Sequence, residues 1–284
     1  RQVVFGFVAS SAMVLPCAAS SLSVAGLIDG EDGRSVDLDG RLDLTPQWSV
    51  GAGLGYGESD LGDQHFSARS LRASTDVQFG AFFAGASADR WHDSGQLRAT
   101  TLRGEFGWMS DSGLAVSALV TDRNLDITYT ATLEDQTREF DIEFQGTGYG
   151  AGLSYFGATW SAGIRFLDYT YGNNVARLQA VLASAETERF PRLQRLTESV
   201  ATRAAGTPDR ELSLVLGRQF ARSHLTGDWQ LRRDALTGEK TTSAGLTFGV
   251  ELGRQLLLDT MVGFSDGGAA GSVPWGGLAL TISR

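Results

Sequence analysis

The sequence predicts an all-β fold: a closed antiparallel transmembrane β-barrel of about 14 strands with one helical loop insertion. Three observations lead to it. Short segments that alternate apolar and polar residues recur along almost the whole chain. No apolar run approaches the ~20 residues that a membrane-spanning helix needs. Connections between the segments alternate between short and longer, as in membrane barrels. An alternative count of the segments gives about 12 strands.

The clearest paired strands lie in residues 149–166. Aromatic and other apolar residues occupy every second position from Tyr149 to Tyr155 and again from Trp160 to Phe166, while glycine and serine fill most positions between them. Successive side chains of a strand point to opposite faces. The segment therefore predicts a β-hairpin with one apolar face, one largely small and polar face, and a turn at residues 156–159.

The same period predicts the remaining strands in chain order. Tight turns are expected where Pro46, Gly113 and Gly253 interrupt the alternation, and longer loops at residues 58–64, 131–137 and 266–272. Apolar residues change parity near residues 122–124 and 146–148, which predicts two phase slips. The predicted strands are residues 22–28, 36–44, 48–56, 71–79, 81–91, 102–108, 114–129, 140–155, 160–166, 212–216, 225–231, 246–252, 256–264 and 275–283.

Two segments depart from the strand pattern. Residues 1–19 combine Arg1, an apolar stretch and small residues before Ser20, which predicts a signal peptide cleaved after Ala19. Lipidation at Cys17, and a first buried strand or plug, are the alternatives. Within the insertion at residues 172–210, helical spacing predicts two short helices interrupted at Pro191. A lid, an internal constriction and an external surface all fit this insertion. The expected organisation is a signal peptide at 1–19 and a barrel at 20–284.

Composition limits the possible partners. The net charge of −9 argues against nucleic acid, and a single cysteine excludes a disulfide framework. No phosphate-binding loop, metal-ligand spacing or catalytic motif is present, so no cofactor and no metal are expected. Ser223 beside His224 is the nearest approach to a catalytic pair, and a lone histidine beside a turn is more often structural. The sequence therefore predicts no enzyme.

The apolar faces distinguish a membrane barrel from a soluble sandwich. A sandwich would bury the apolar faces of about 14 strands between two large sheets with protected edges, whereas a barrel in lipid needs no second layer. Tryptophans on the apolar face near turns or strand ends fit an interfacial girdle. They are Trp48, Trp108, Trp160 and Trp229.

The chain resembles the outer-membrane β-barrel proteins of Gram-negative bacteria. The most specific match is in the last strand, where Gly277, Leu280 and Ile282 fit the family's terminal assembly signal. Trp275 departs from the polar residue usual there. The resemblance implies bacterial outer-membrane localisation, contact with outer-membrane lipid, and recognition by the barrel assembly machinery through those three residues. Size and strand count are similar to those of monomeric porins.

The non-apolar face predicts the function. A barrel of about 14 strands leaves space inside, and acids outnumber arginines on the predicted inner face. This indicates a porin-like channel for passive diffusion of small hydrophilic solutes, with modest cation preference. The alternatives are an autotransporter-type translocator and a structural or adhesin barrel whose charges only brace the wall. The predicted pore-lining residues are Asp37, Asp39, Arg41, Asp43, Arg72, Asp76, Arg103, Glu105, Asp141, Glu143, Arg165, Asp228, Arg232, Glu251 and Asp259.

Overall fold

A computed structural model describes residues 20–30, 33–61, 64–93, 97–133, 136–172, 207–235, 238, 240–267 and 272–284. These stretches are almost entirely extended, and they form fourteen strands, as predicted. The strands are β1 (Ser21–Asp29), β2 (Arg34–Thr45), β3 (Trp48–Leu61), β4 (Gln64–Phe79), β5 (Phe82–Asp93), β6 (Leu97–Met109), β7 (Leu114–Leu133), β8 (Gln136–Phe156), β9 (Trp160–Tyr171), β10 (Pro208–Gln219), β11 (Ser223–Asp234), β12 (Lys240–Glu251), β13 (Leu256–Gly267) and β14 (Ser272–Ser283).

The strands form one closed barrel. Each strand pairs antiparallel with its neighbour in sequence, and β1 pairs with β14 to complete the ring. That last pairing runs from Ser21 opposite Ser283 to Asp29 opposite Trp275. Closure leaves no strand edge unpaired, which matters in hydrocarbon because each unsatisfied backbone group there costs several kcal/mol.

The charged face of the sheet is the inner one. Arg72 on β4 reaches Asp37 on β2 across an intervening strand, and Arg165 on β9 reaches Glu105 on β6 across two. Side chains of non-adjacent strands converge in this way only on the concave side of a closed sheet. The opposite, outer face exposes large apolar side chains all round the barrel, including Leu38, Leu71, Leu153, Leu246 and Leu280.

The two ends of the barrel differ. One end carries both ends of the barrel chain, where Arg284 N donates to Ser20 O, and the tight turns. Gly80 and Gly113 in two of these turns have φ of 64° and 85°, conformations that glycine adopts without a steric penalty. Membrane barrels place short turns in the periplasm and longer loops outside. The turn-bearing end is accordingly called the periplasmic end below, and the opposite one the outer end.

Two predicted loops, residues 58–64 and 131–137, are strand in their described parts. β3 continues to Leu61 and β4 starts at Gln64, while β7 continues to Leu133 and β8 starts at Gln136. These four strands have 14, 16, 20 and 21 residues, more than the ~9–11 that cross a membrane. The β3–β4 and β7–β8 hairpins therefore extend past the lipid at the outer end.

The predicted phase slips in β7 and β8 are wrong. Pairing between these strands runs without a shift from Leu114 opposite Tyr155 to Leu133 opposite Gln136. Leu125 and Phe144 lie directly opposite each other, face inward, and are each 1% exposed. Outside the hydrocarbon the outward positions carry polar residues and the inward positions carry apolar ones. The apolar residues therefore change parity along the sequence although the backbone pairing continues without a shift.

Three further predictions concern segments at the limits of the described chain. The predicted signal peptide, residues 1–19, lies outside the described residues, as do residues 173–206 with the two predicted helices. β10 begins at Pro208, so the last residues of the predicted insertion at 172–210 are strand. The part of the chain that the structure describes contains no helix long and apolar enough to cross a membrane.

Candidate pore lining

The strand register places most of the predicted pore-lining residues on the inner face. Whether they line a conducting pore stays a prediction, but their side chains share one interior. The inward residues of this set are Asp37, Asp39, Arg41, Asp43, Arg72, Asp76, Arg103, Glu105, Arg165, Asp228, Arg232, Glu251 and Asp259.

Arg72 links two carboxylates of β2 by passing over β3. Its guanidinium lies 2.7 Å from Asp37 Oδ1 and 3.1 Å from Asp39 Oδ2. Gly53 and Gly55 of β3 lie beneath these contacts. A Cβ at Gly53 would lie 3.1 Å from Arg72 Nε and closer still to Asp39. The inner glycines of β3 thus provide the space through which charges on its two neighbours meet.

Two other arginines pair across the wall. Arg41 lies 3.6 Å from Asp43 on its own strand and 3.4 Å from Asp76 on β4. Arg165 reaches Glu105 at 3.3 Å. These side chains remain partly exposed to the lumen, where solvent screening leaves each pair a small contribution to stability.

A third group joins β7, β9, β10 and β11. Arg232 Nε lies 3.4 Å from Glu211 Oε1, and the Tyr169 hydroxyl donates to Glu211 Oε2 at 3.2 Å. Arg123 is close enough to interact electrostatically with Arg232 and Glu211. The Tyr171 hydroxyl donates to Pro208 O at 2.9 Å. Arg232, Tyr169 and Tyr171 thus connect the ends of β9, β10 and β11 at the outer end.

The inner face of β11 to β13 is more acidic. Asp228 makes no ion pair with any described residue, and Asp259 faces His224 at 3.3 Å. Ser223 pairs with Val250 on the outer face, whereas His224 pairs with Gly249 on the inner face. The hydroxyl and the imidazole therefore point to opposite sides of the wall. Ser223 and His224 do not form a nucleophile–base pair.

One residue assigned to the lumen lies on the opposite face. Glu143 pairs with Asp126 and accepts a hydrogen bond from Asn124 Nδ2 at 3.0 Å, all on the outer face. The prediction is wrong for Glu143, because it placed a phase slip at residues 146–148 that does not exist. The side chain of Asp141 lies outside the described part of the chain, so its assignment to the lumen stays a prediction.

Sequence reasoning also missed inward residues. Asp89 lies on β5, where the phase was uncertain, and Arg123 lies within a predicted slip. Glu211 immediately precedes a predicted strand. Because it is adjacent to the outward Leu212, alternation would have placed it on the inner face. Trp275 also faces inward, with its ring against Gly245 and Gly263. Aromatic side chains thus occupy part of the lumen that the sequence pattern assigned to charges.

The outer face carries the lipid-facing features. Trp48, Trp108 and Trp160 lie on it beside the periplasmic turns, as an interfacial girdle requires. Phe79, Phe82 and Phe106 join this level, with ring centroids 6.0–6.3 Å apart. Trp229, in contrast, lies in the middle of β11 and not near a strand end. The girdle at the periplasmic end is therefore made without it.

Among the described residues, no group of three or more histidine, cysteine, aspartate or glutamate side chains is placed to hold a metal ion. No protein-family model and no curated protein matches the sequence.

Solved structures do match. The CymD monoaromatic hydrocarbon channel is 10% identical with a TM-score of 0.52, over 94% of this chain and 87% of that one. A loop-deletion mutant of OmpT, an outer membrane protein of Vibrio cholerae, is 9% identical with a TM-score of 0.49, over 94% and 98%. The KdgM porin is 9% identical with a TM-score of 0.40, over 91% and 97%. With its closed ring of strands and apolar outer band, the chain has the fold of a transmembrane β-barrel, which it shares with the CymD channel.

Proposed function

We propose that this barrel is a channel for passive diffusion of small hydrophilic solutes across the outer membrane, with a modest preference for cations. The observation that carries the proposal is the charged inner wall of a closed 14-strand ring. Barrels of about 8 strands are filled by side chains, whereas those of 16–18 enclose an aqueous channel. Likeness to proteins named as porins or channels supports a shared fold, and transport is inferred from the wall itself.

The cation preference is attributed to the sector formed by β11, β12 and β13. Elsewhere the inner acids face arginines, as Asp37, Asp76 and Glu105 do, and such pairs contribute little net field. Asp228 has no ion-pair partner among the described residues, and Asp259 faces only a histidine. An uncompensated carboxylate raises the local concentration of cations in a narrow, low-dielectric passage.

The test is the reversal potential of single channels in a salt gradient across a planar bilayer. We expect a cation-selective potential for the wild type and a shift towards zero for the Asp228→Asn/Asp259→Asn variant. Asp266→Asn is the matched control, because Asp266 lies on the outer face of β13. Anion selectivity in the wild type, or equal shifts in both variants, would contradict the proposal.

A structural barrel without transport is the second candidate. It is favoured by the network of Arg72, Asp37 and Asp39, which braces β2 against β4. The same recordings separate the two functions: a folded, inserted barrel that conducts no ions supports the structural role.

A further inference from the structure

The outer face carries a basic patch at the outer end of β4, β5 and β6. Arg69 lies directly opposite His92, and His92 directly opposite Arg98. Arg90 lies two residues from His92 on the same face of β5. Directly opposite residues in an antiparallel pair have Cβ atoms about 5 Å apart. These four residues, called the basic patch below, therefore form one continuous surface across three strands.

The basic patch differs from three other outward arginines at the outer end. Arg34 lies 4.0 Å from Glu58, Arg210 lies 2.9 Å from Asp168, and Arg233 lies 3.7 Å from Asp209. All four side chains of the basic patch are exposed, and none forms an ion pair with a described residue. Among the described residues, the four side chains of the basic patch therefore have no ion-pair partner.

The position of the basic patch is also specific. On β4 it begins two residues beyond Leu71, which is 55% exposed on the lipid-facing band, and on β6 four residues beyond Leu102. Arg90 is level with Leu71, its directly opposite partner, and at about 3.3 Å per residue Arg69 and His92 lie ~7 Å further out. That is where the headgroups of the outer leaflet meet the barrel, since this end is opposite to the tight turns.

The acids around the basic patch define its border. Asp126 on β7 is opposite Arg98, and Glu143 on β8 is opposite Asp126, both on the outer face. On the other side Glu58 of β3 lies near Arg34. These carboxylates would repel an anion, so an anionic ligand is confined to β4, β5 and β6.

We propose that the basic patch binds the phosphate groups of lipid headgroups in the outer leaflet. Guanidinium groups bind phosphate oxygens through paired, charge-assisted hydrogen bonds, and arginine is suited to this planar recognition. Arg69 and Arg98 flank His92, so one guanidinium group lies on each side of a headgroup bound there. Arg90 lies closer to the lipid-facing band. The barrel thereby holds a particular lipid against one side of its wall.

The experiment measures binding of diphosphorylated lipid A to the refolded barrel in detergent, by native mass spectrometry. We expect specific binding to the wild type and about fivefold weaker binding for each patch arginine changed to glutamine. The test variant is Arg69→Gln/Arg98→Gln. The matched control is Arg210→Gln/Arg233→Gln, which also removes two outward arginines at this end but from ion-paired positions.

Further arms identify the ligand. Lipid A without phosphates is expected to bind weakly to every variant, and inorganic phosphate at equal concentration is expected not to compete. Heat-modifiable migration on gels shows that each variant is folded. Equal lipid A binding by the test variant and the wild type overturns the proposal. So does a change in oligomeric state without a change in lipid binding, which would assign the basic patch to a second copy of the chain.

Discussion

At single positions, the inner wall combines a glycine on one strand with charged side chains on its neighbours. Gly53 lies beneath the contacts of Arg72 with Asp37 and Asp39. Gly249 lies in the same way beneath the pair of His224 and Asp259. A larger residue at either glycine fills the space through which the charges meet. The sequence indicated small inner residues, but only the register shows that they lie under ion pairs.

The first prediction concerns Gly53→Val. The new side chain would overlap Asp39 and displace Arg72, so we expect the free energy of unfolding to fall by about 1–3 kcal/mol, the usual effect of overpacking. Urea unfolding in detergent, followed by tryptophan fluorescence, measures it. Gly40→Val on β2 is the control, because a Cβ there faces outward and makes only ordinary contacts at 3.9 Å. A loss of stability no greater than in Gly40→Val would contradict the role of the glycine.

Among the strands, β14 determines whether the barrel closes. Gly277 faces inward opposite Leu27 of β1, and a Cβ there would meet that leucine, while Leu280 and Ile282 face lipid opposite Val24 and Leu22. The same three residues form the predicted assembly signal. Recognition of these residues by the assembly machinery remains a proposal. Their position in the β1–β14 pairing gives them a second, separate role in closing the barrel.

The second prediction separates these roles. Gly277→Val should lower the yield of folded barrel on refolding into detergent without any assembly factor, because it interferes with the β1–β14 pairing. The yield is measured by heat-modifiable migration on gels. Gly276→Val is the neighbouring control, since its Cβ would face outward and lie 3.6 Å from Met261 O. Equal yields for both variants would contradict a role of Gly277 in the closure of the barrel.

The third prediction concerns the connection between β9 and β10. Tyr171 and Pro208 are joined by a hydrogen bond of 2.9 Å, so a short linker can replace residues 174–206 without straining the strands. As a lid or constriction, this segment would obstruct the lumen, and its removal should enlarge single-channel conductance or reduce gating in planar bilayers. Traces identical to those of the wild type, from a variant that folds normally, would contradict either role.

For the whole molecule, the sequence predicts the fold wherever the outer face meets hydrocarbon. Strict alternation there predicts the number of strands and most of the residues that face inward, as in β2 and β11. It fails where strands pass beyond the lipid, because an outward position then faces water and becomes polar. Leu125 and Phe144 face inward there while Glu143 faces outward. Contacts such as Arg165 with Glu105 depend on barrel curvature, which no local pattern records.

The central claim is that apolar side chains of every strand contact hydrocarbon while their neighbours face water inside. The barrel chain from residue 20 has no cysteine, so single cysteines can report on each face of β12. With the barrel inserted in lipid vesicles, a charged, membrane-impermeant thiol reagent should modify Thr247→Cys, which faces the lumen. It should leave Leu246→Cys, on the lipid face, unmodified. Rapid labelling of Leu246→Cys, or no labelling of Thr247→Cys, would contradict a water-filled barrel in the membrane.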